Sequence, residues 1–192
     1  MPSWALRGAE RAVPSVTQTT LVRPAVLADA AQVAQVHVDS WQTTYPGIFP
    51  PAAIAGHTLE RRLALWTRHL TDASDRHALF VAVQADTVVG FASLGAFRVQ
   101  GPPIEGEGEL NALYLLQRAQ RQGLGRQLMQ AGGAWLQRRS FTAMRCWVVR
   151  GNRSAEAFYT HQRGIVVATT TFEVEGALLT EDCFRYELPL EA

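Results

Sequence analysis

From Glu109 to Leu116, Leu110, Ala112, Leu113, Tyr114, Leu115 and Leu116 follow with little polar interruption. A strand with one wet face alternates, so this run predicts a strand covered on both faces. A polar, glycine-bearing turn from Gln120 to Gly125 comes next. Leu124, Leu128, Ala131 and Trp135 then recur at helical spacing, with Gln127, Gln130, Gln137 and Arg138 elsewhere on the wheel. Upstream, Thr20 to Val26 predicts a first strand, and Pro24 marks an edge or an end. A helix follows from about Asp29 to Trp41, with Ala30, Val33, Ala34, His37 and Trp41 on one face. Pro46-Gly47 and Pro50-Pro51 break regular structure. A second helix runs from an N-cap at Thr58 to Leu70, with a stripe of Leu59, Leu63, Trp66 and Leu70. His77 to Gln84 and Thr87 to Val99 read as strands of a hairpin. Ala143 to Val149 is a short apolar strand, and Gly151-Asn152 opens a short helix bearing Ala155, Phe158 and Tyr159, stopped near Gly164. Ile165 to Val174 and Cys183 to Leu190 are the last two strands.

This order implies an α/β fold with one mixed sheet. At 192 residues the default is one domain, with residues 20–192 forming it and residues 1–19 a poorly ordered extension. A net charge of +1 gives no global pull toward nucleic acid or an anionic membrane. No stretch has membrane-spanning length, and the first twenty residues lack the apolar core of a secretory signal. A cytoplasmic protein is the default expectation. Cys146 and Cys183 form no CxxC pair and no Cys/His cluster, so neither a metal site nor a disulfide scaffold is implied. Cys146 reads as a small core residue. The five histidines are scattered, with His37 and His161 on helix surfaces or in the core.

Charge is informative locally. From Leu110 to Ala155 there is no acid, yet there are eight arginines. Gly123 and Gly125 remove side chains where a ligand can approach the backbone. The helix that follows offers unpaired N–H groups and a positive dipole end. Together these make an anion site. The nucleotide triphosphatase loop needs GxxxxGK[ST], and the chain has no lysine. The dinucleotide fingerprint GxGxxG needs a glycine where Leu128 stands. Gln120, Gly123 and Gly125 instead fit Q/R-x-x-G-x-G/A between a strand and a helix.

That turn resembles the coenzyme A pyrophosphate loop of the GNAT superfamily of N-acetyltransferases. A second segment, GNRSAEAFYTHQRG, resembles the superfamily's N-x-x-A-x-x-F-Y motif through Asn152, Ala155, Phe158 and Tyr159. The likeness runs from about residue 20 to 190 and includes HVDSWQTTYPGIFP. It implies a mostly antiparallel sheet of about seven strands, splayed at its centre and flanked by about four helices. It implies acetyl-CoA as cosubstrate and an amine acceptor, either a small molecule or a peptide amino terminus. The carried-over roles follow the motifs. The Leu113 N–H meets the thioester carbonyl, Tyr114 and Leu115 continue the cofactor-binding strand, and Leu115 pairs with the pantetheine arm. The amides of Arg121, Gln122, Gly123, Leu124, Gly125 and Arg126 wrap the pyrophosphate. Asn152 contacts the pantetheine or caps its helix, and Tyr159 protonates the departing thiolate. Glu109 matches a general base found in some members. A homodimer follows by analogy to the family alone. Gln117 and Ile165 stand where the family often has a proline and an aromatic.

Alternatives stay open at the residues themselves. Glu109, with Glu105 and Glu107, reads as a base, as a charged loop or as a guide for a cationic amine. Tyr159 reads as an acid or as a core aromatic. Trp41 and Tyr45 stack on an acceptor or belong to the core. Arg145, Arg150 and Arg153 meet a cofactor phosphate or are solvated charge. A coenzyme A-binding module without turnover, and nucleic-acid binding by the arginine-rich half, are the rival functions.

Overall fold

The computed structural model describes residues 20–72, 74, 76–96 and 104–190. The extension expected over residues 1–19 lies outside them, as does the end of the strand expected to run to Val99. Among the described residues, seven strands form one sheet: β1 (Thr20–Pro24), β2 (His77–Gln84), β3 (Thr87–Ala96), β4 (Glu107–Leu115), β5 (Ala143–Val149), β6 (Ile165–Val174) and β7 (Ala177–Glu187). Their order is β1-β2-β3-β4-β5-β7-β6, and only the β4–β5 pair is parallel. The helices are α1 (Ala30–Thr44), α2 (Pro51–Ala55), α3 (Leu59–Thr71), α4 (Leu124–Gln137) and α5 (Arg153–His161).

Local chemistry explains most of these elements. Thr58 caps α3 by accepting a hydrogen bond from the Arg61 N–H. Ala85 and Asp86 both adopt positive φ, 46° and 62°, which turns the β2–β3 hairpin with the twist of its strands. The short α2 is a fifth helix where only a break was expected. Pro51 occupies its first position, where a missing N–H costs no hydrogen bond. β7 starts at Ala177 rather than Cys183, because its polar residues are paired across the sheet. Asp182 accepts from Thr169 at 2.6 Å and from Arg150 at 2.8 Å. β4 begins at Glu107, inside what read as a charged loop.

Two cores sandwich the sheet. Leu110, Leu128, Met144, Cys146 and Phe184 belong to the α4–α5 side. Val33, Val36, Trp66, Val81 and Phe91 belong to the α1–α3 side. β4 feeds both, with Leu113 and Leu115 packing on the first and Ala112 and Tyr114 on the second, as its continuous apolar run requires. The α3 stripe differs from expectation. Leu59 and Leu63 stay exposed while Trp66 is buried, so the inward face is rotated toward Arg62 and Trp66.

Two irregularities shape the sheet's centre. The β4–β5 ladder covers only Glu107↔Ala143, Gly108↔Met144 and Glu109↔Arg145. Past that point β4 stays with β3 as far as Gly90↔Leu115, and β5 stays with β7 as far as Val149↔Glu181, so the two strands part. The β3–β4 register also skips from Ser93↔Ala112 to Leu94↔Leu110, which leaves Asn111 as a bulge.

Candidate active site

The fork between β4 and β5 exposes one edge of β4. Leu116 donates to the Val89 carbonyl at 2.9 Å, so by antiparallel alternation Tyr114 and Ala112 also bond toward β3. The peptide groups of Leu113 and Leu115 then turn the other way, into the fork. The Gln120 side-chain amide donates to the Leu115 carbonyl at 3.1 Å and ties the turn to this edge.

The glycine turn opens beside it. Gly123 sits at the start of α4 with φ 78°, no side chain caps it, and the first turn carries no acid. A Cβ at Gly123 would meet nothing closer than the Gln127 Nε2 at 4.0 Å, so its surface is open. Gly125 is different. A Cβ there would lie 3.2 Å from the Phe158 ring and 3.4 Å from Leu115, so packing against α5 and β4 leaves this position little room for a side chain. Arg121 also has positive φ, 60°, and the two left-handed residues curl the turn around Gln122. The Gln122 side chain faces outward, donating to the Arg118 carbonyl and accepting from Gln84. Arg121 and Arg126 are exposed. This cradle fits a diphosphate, and the parted strand edge fits an extended amide-bearing arm.

Side chains from four distant segments converge at the fork. Trp41 Nε1 donates to the Tyr114 hydroxyl at 3.0 Å, and the Tyr45 hydroxyl lies 3.4 Å from it. Burial, the neighbouring Tyr114 and its hydrogen bond raise the Tyr45 pKa far above the ordinary phenol range, against an opposing contact from the Asn152 amide. Asn152 Oδ1 accepts from the Ala155 N–H at 3.2 Å, so it does cap α5. Tyr159 is 7% exposed, and burial together with Cys146, Tyr186, Tyr45 and Tyr114 pushes its pKa well up. The Cys146 thiol lies close to it. Tyr186 donates its hydroxyl to the Tyr159 carbonyl at 2.9 Å and anchors that turn of α5.

Glu109 is 3% exposed and stands opposite Arg145 on the last β4–β5 rung. Glu107 is not loop charge. It accepts from Arg185 at 2.9 Å and contacts Arg145, and these guanidiniums outweigh the burial that alone would raise its pKa, holding it below normal. Arg150 pairs with Asp182, so Arg145 and Arg150 serve the sheet, while Arg153 is exposed at the start of α5. A cavity of about 950 Å³ lies beside the α1–α2 elbow, lined by Val38, Ile48, Phe49, Ile54, His57 and Ala177. Neither Glu109 nor Tyr159 lines it.

Residues 37–165 match the acetyltransferase (GNAT) family. The chain belongs to that family. It is 38% identical over 162 residues to the uncharacterized N-acetyltransferase YuaI of Bacillus subtilis, covering 83% of this chain and 88% of that one. Its fold is similar to that of the PaiA N-acetyltransferase of Thermoplasma acidophilum, solved with coenzyme A, at a TM-score of 0.63 and 20% identity over 85% of this chain and 98% of that one. It is also similar to yncA of Salmonella typhimurium, a putative acetyltransferase solved with acetyl-CoA, at 0.67 and 21% over 90% and 96%. This GNAT protein is thus an acetyl-CoA-dependent N-acetyltransferase.

Sequence reasoning about a GNAT chain missed several groups at this site. The Tyr114 hydroxyl joins the aromatic cluster, although only its backbone was expected to matter. His37 accepts from Trp66 Nε1 at 3.1 Å, and burial, reinforced by the nearby Arg62 and His57, lowers its pKa to about 3. The His57 ring stacks on Trp41, with centroids 3.3 Å apart. No linear spacing signals these contacts, because each joins segments that only the fold brings together.

Proposed function

We propose that the protein acetylates a primary amine, either on a small molecule or at a peptide amino terminus, by direct attack in a ternary complex. The observation that carries this reading is the parting of β4 from β5 beside an uncapped, acid-free start of α4. Acetyl-CoA supplies the acetyl group as a thioester. The amides from Arg121 to Arg126 hold its diphosphate, and the fork-facing edge at Leu115 orients the pantetheine arm. The Leu113 N–H donates to the carbonyl oxygen as negative charge gathers there. An alkylamine has a pKa of about 10 and must shed a proton to attack. Glu109, buried where the fork closes, takes that proton up. Tyr159 stays protonated because burial disfavours its phenolate, so it retains a proton to give to the leaving sulfur. Trp41 and Tyr45 bound the acceptor side, and Asn152 caps the start of α5 near Tyr45. We read residues 20–192 as one domain, since both cores meet on one sheet. The outer strand β6, with Ile165 and Val167 exposed, supports a homodimer, and two buried free thiols fit a reducing cytoplasm.

Thiol release from acetyl-CoA over a panel of amines tests this reading, beside NMR titration with coenzyme A. The amides of residues 121–126 should shift, and Tyr159→Phe should lower kcat by about 100-fold without weakening coenzyme A binding. Undisturbed amides at the turn would sink the reading.

A further inference from the structure

Arg62 sits on the inward face of α3, one turn before the buried Trp66. Its Nε is enclosed and has no hydrogen-bond partner. Among the described residues, no carboxylate comes within ion-pair distance of its guanidinium. The groups around it are Tyr114, His37, His57 and Arg61. Both histidines are held neutral, His37 near 3 and His57 below its normal value by burial. None of these neighbours supplies a negative charge, and desolvation works against the cation. Arg62 is half-buried, and a partly desolvated cation without a counter-charge carries a cost that a bound anion would remove.

Its position says which anion. Tyr114, the residue beside Arg62, carries the hydroxyl that receives Trp41 Nε1 and meets Tyr45. That cluster faces the fork, and Tyr159 feels both Tyr45 and Tyr114. Arg62 lies on the α1–α3 side of the sheet, away from α4, whose N-terminus holds the diphosphate in the reading above. The anion therefore comes from the acceptor. A guanidinium binds a carboxylate through two parallel N–H···O bonds, which fixes orientation as well as charge.

We propose that Arg62 binds a carboxylate on the acceptor, so that the substrate is a small amino carboxylate rather than a plain alkylamine. The inference rests on the amine-acetylation reading above and narrows its substrate class. Arg62 is a specificity-determining residue in it. An acceptor that lacks the carboxylate leaves the cation uncompensated, and a site built that way discriminates strongly.

The full-length protein saturated with coenzyme A provides the test. Its Arg62 Nε–Hε NMR signal is identified by its loss in Arg62→Lys. The probes are glycine, 4-aminobutyrate, 6-aminohexanoate, n-butylamine and 3-aminopropylphosphonate. At least one amino carboxylate should shift that signal, and n-butylamine should not. For the responding compound, Arg62→Gln should lower kcat/KM at least tenfold, mainly through KM, and lower that of n-butylamine by a clearly smaller factor. If no amino carboxylate shifts the signal, or if Arg62→Gln weakens both amine classes equally, the proposal is overturned. A stronger response to the phosphonate than to any carboxylate also overturns it, in favour of a phosphoryl acceptor. Should Arg62→Gln fail to fold, the wild-type titration decides alone. Failure of the acetyl-transfer reading is distinguishable, because the amides of residues 121–126 would then not respond to coenzyme A in the wild type.

Discussion

Gly123 and Gly125 lie one residue apart and answer to different forces. Gly123 holds φ 78° over open space, whereas Gly125 has conventional dihedrals against the Phe158 ring. Gly123→Ala should therefore cost about 1 kcal/mol of backbone strain and push a methyl group into the diphosphate cradle. Calorimetry should find coenzyme A binding weakened about tenfold with a small loss in Tm. Gly125→Ala should do the reverse, lowering Tm by several degrees and leaving affinity within about twofold, since its methyl group overpacks α5. Equal losses of affinity in both variants would refute this division. The spacing of the two glycines was legible in the chain, but their separate duties were not, because one depends on what α5 brings near. The same holds for Arg62. The apolar stripe through Leu59 and Leu63 pointed elsewhere, and only the burial of Trp66 turns Arg62 inward.

Among the elements, β4 and β5 matter most, and Glu107 holds them together where they begin to part. Its two guanidinium partners come from β5 and β7, so one carboxylate ties three strands at the closed end of the fork. Removing one partner of a buried pair leaves the others uncompensated, and Glu107→Gln should cost about 3 kcal/mol in urea unfolding near neutral pH. The sign with pH follows from linkage. Glu107 is held below its ordinary pKa, so its contribution is present above pH 4.5 and is lost as pH falls through its folded value. The gap between wild type and Glu107→Gln should close in acid, and a gap independent of pH would rule out the ionic account. The elements that were hardest to read share this cause. Glu107 in β4 and Asp182 in β7 are acids in strands, and acids read as loop until their arginine partners are known. β2, β5 and β6, whose apolar content is self-evident, match their expected bounds.

For the molecule as a whole, the α1–α3 layer carries an acid weakness. His37 is buried neutral with a pKa of about 3, and His69 is pushed by burial and by His77 to about 4. The unfolded chain takes up both protons near pH 6.5, so it binds more protons than the native state across the interval. Stability should be full above about pH 6.5 and decline toward pH 4, by roughly 1.4 kcal/mol per pH unit for each histidine well below its unfolded pKa. Urea midpoints across this range should fall, and His37→Gln, whose amide oxygen can still accept from Trp66, should flatten part of the slope. A wild-type midpoint constant from pH 6.5 to 4 would contradict the neutral-histidine account.

The extra residue at Asn111 has an effect that reaches beyond its own bend. Gly108 and Leu110 look toward α4, so Glu109 between them looks the opposite way. Ala112 and Tyr114 look that opposite way too, although an uninterrupted strand would set them against Glu109. Asn111 thus resets the phase of the strand and lets the carboxylate and the tyrosine cluster share one side of the sheet. A homologue or graft that deleted this single residue would keep every chemically competent side chain and still aim its proton acceptor into the wrong half of the molecule.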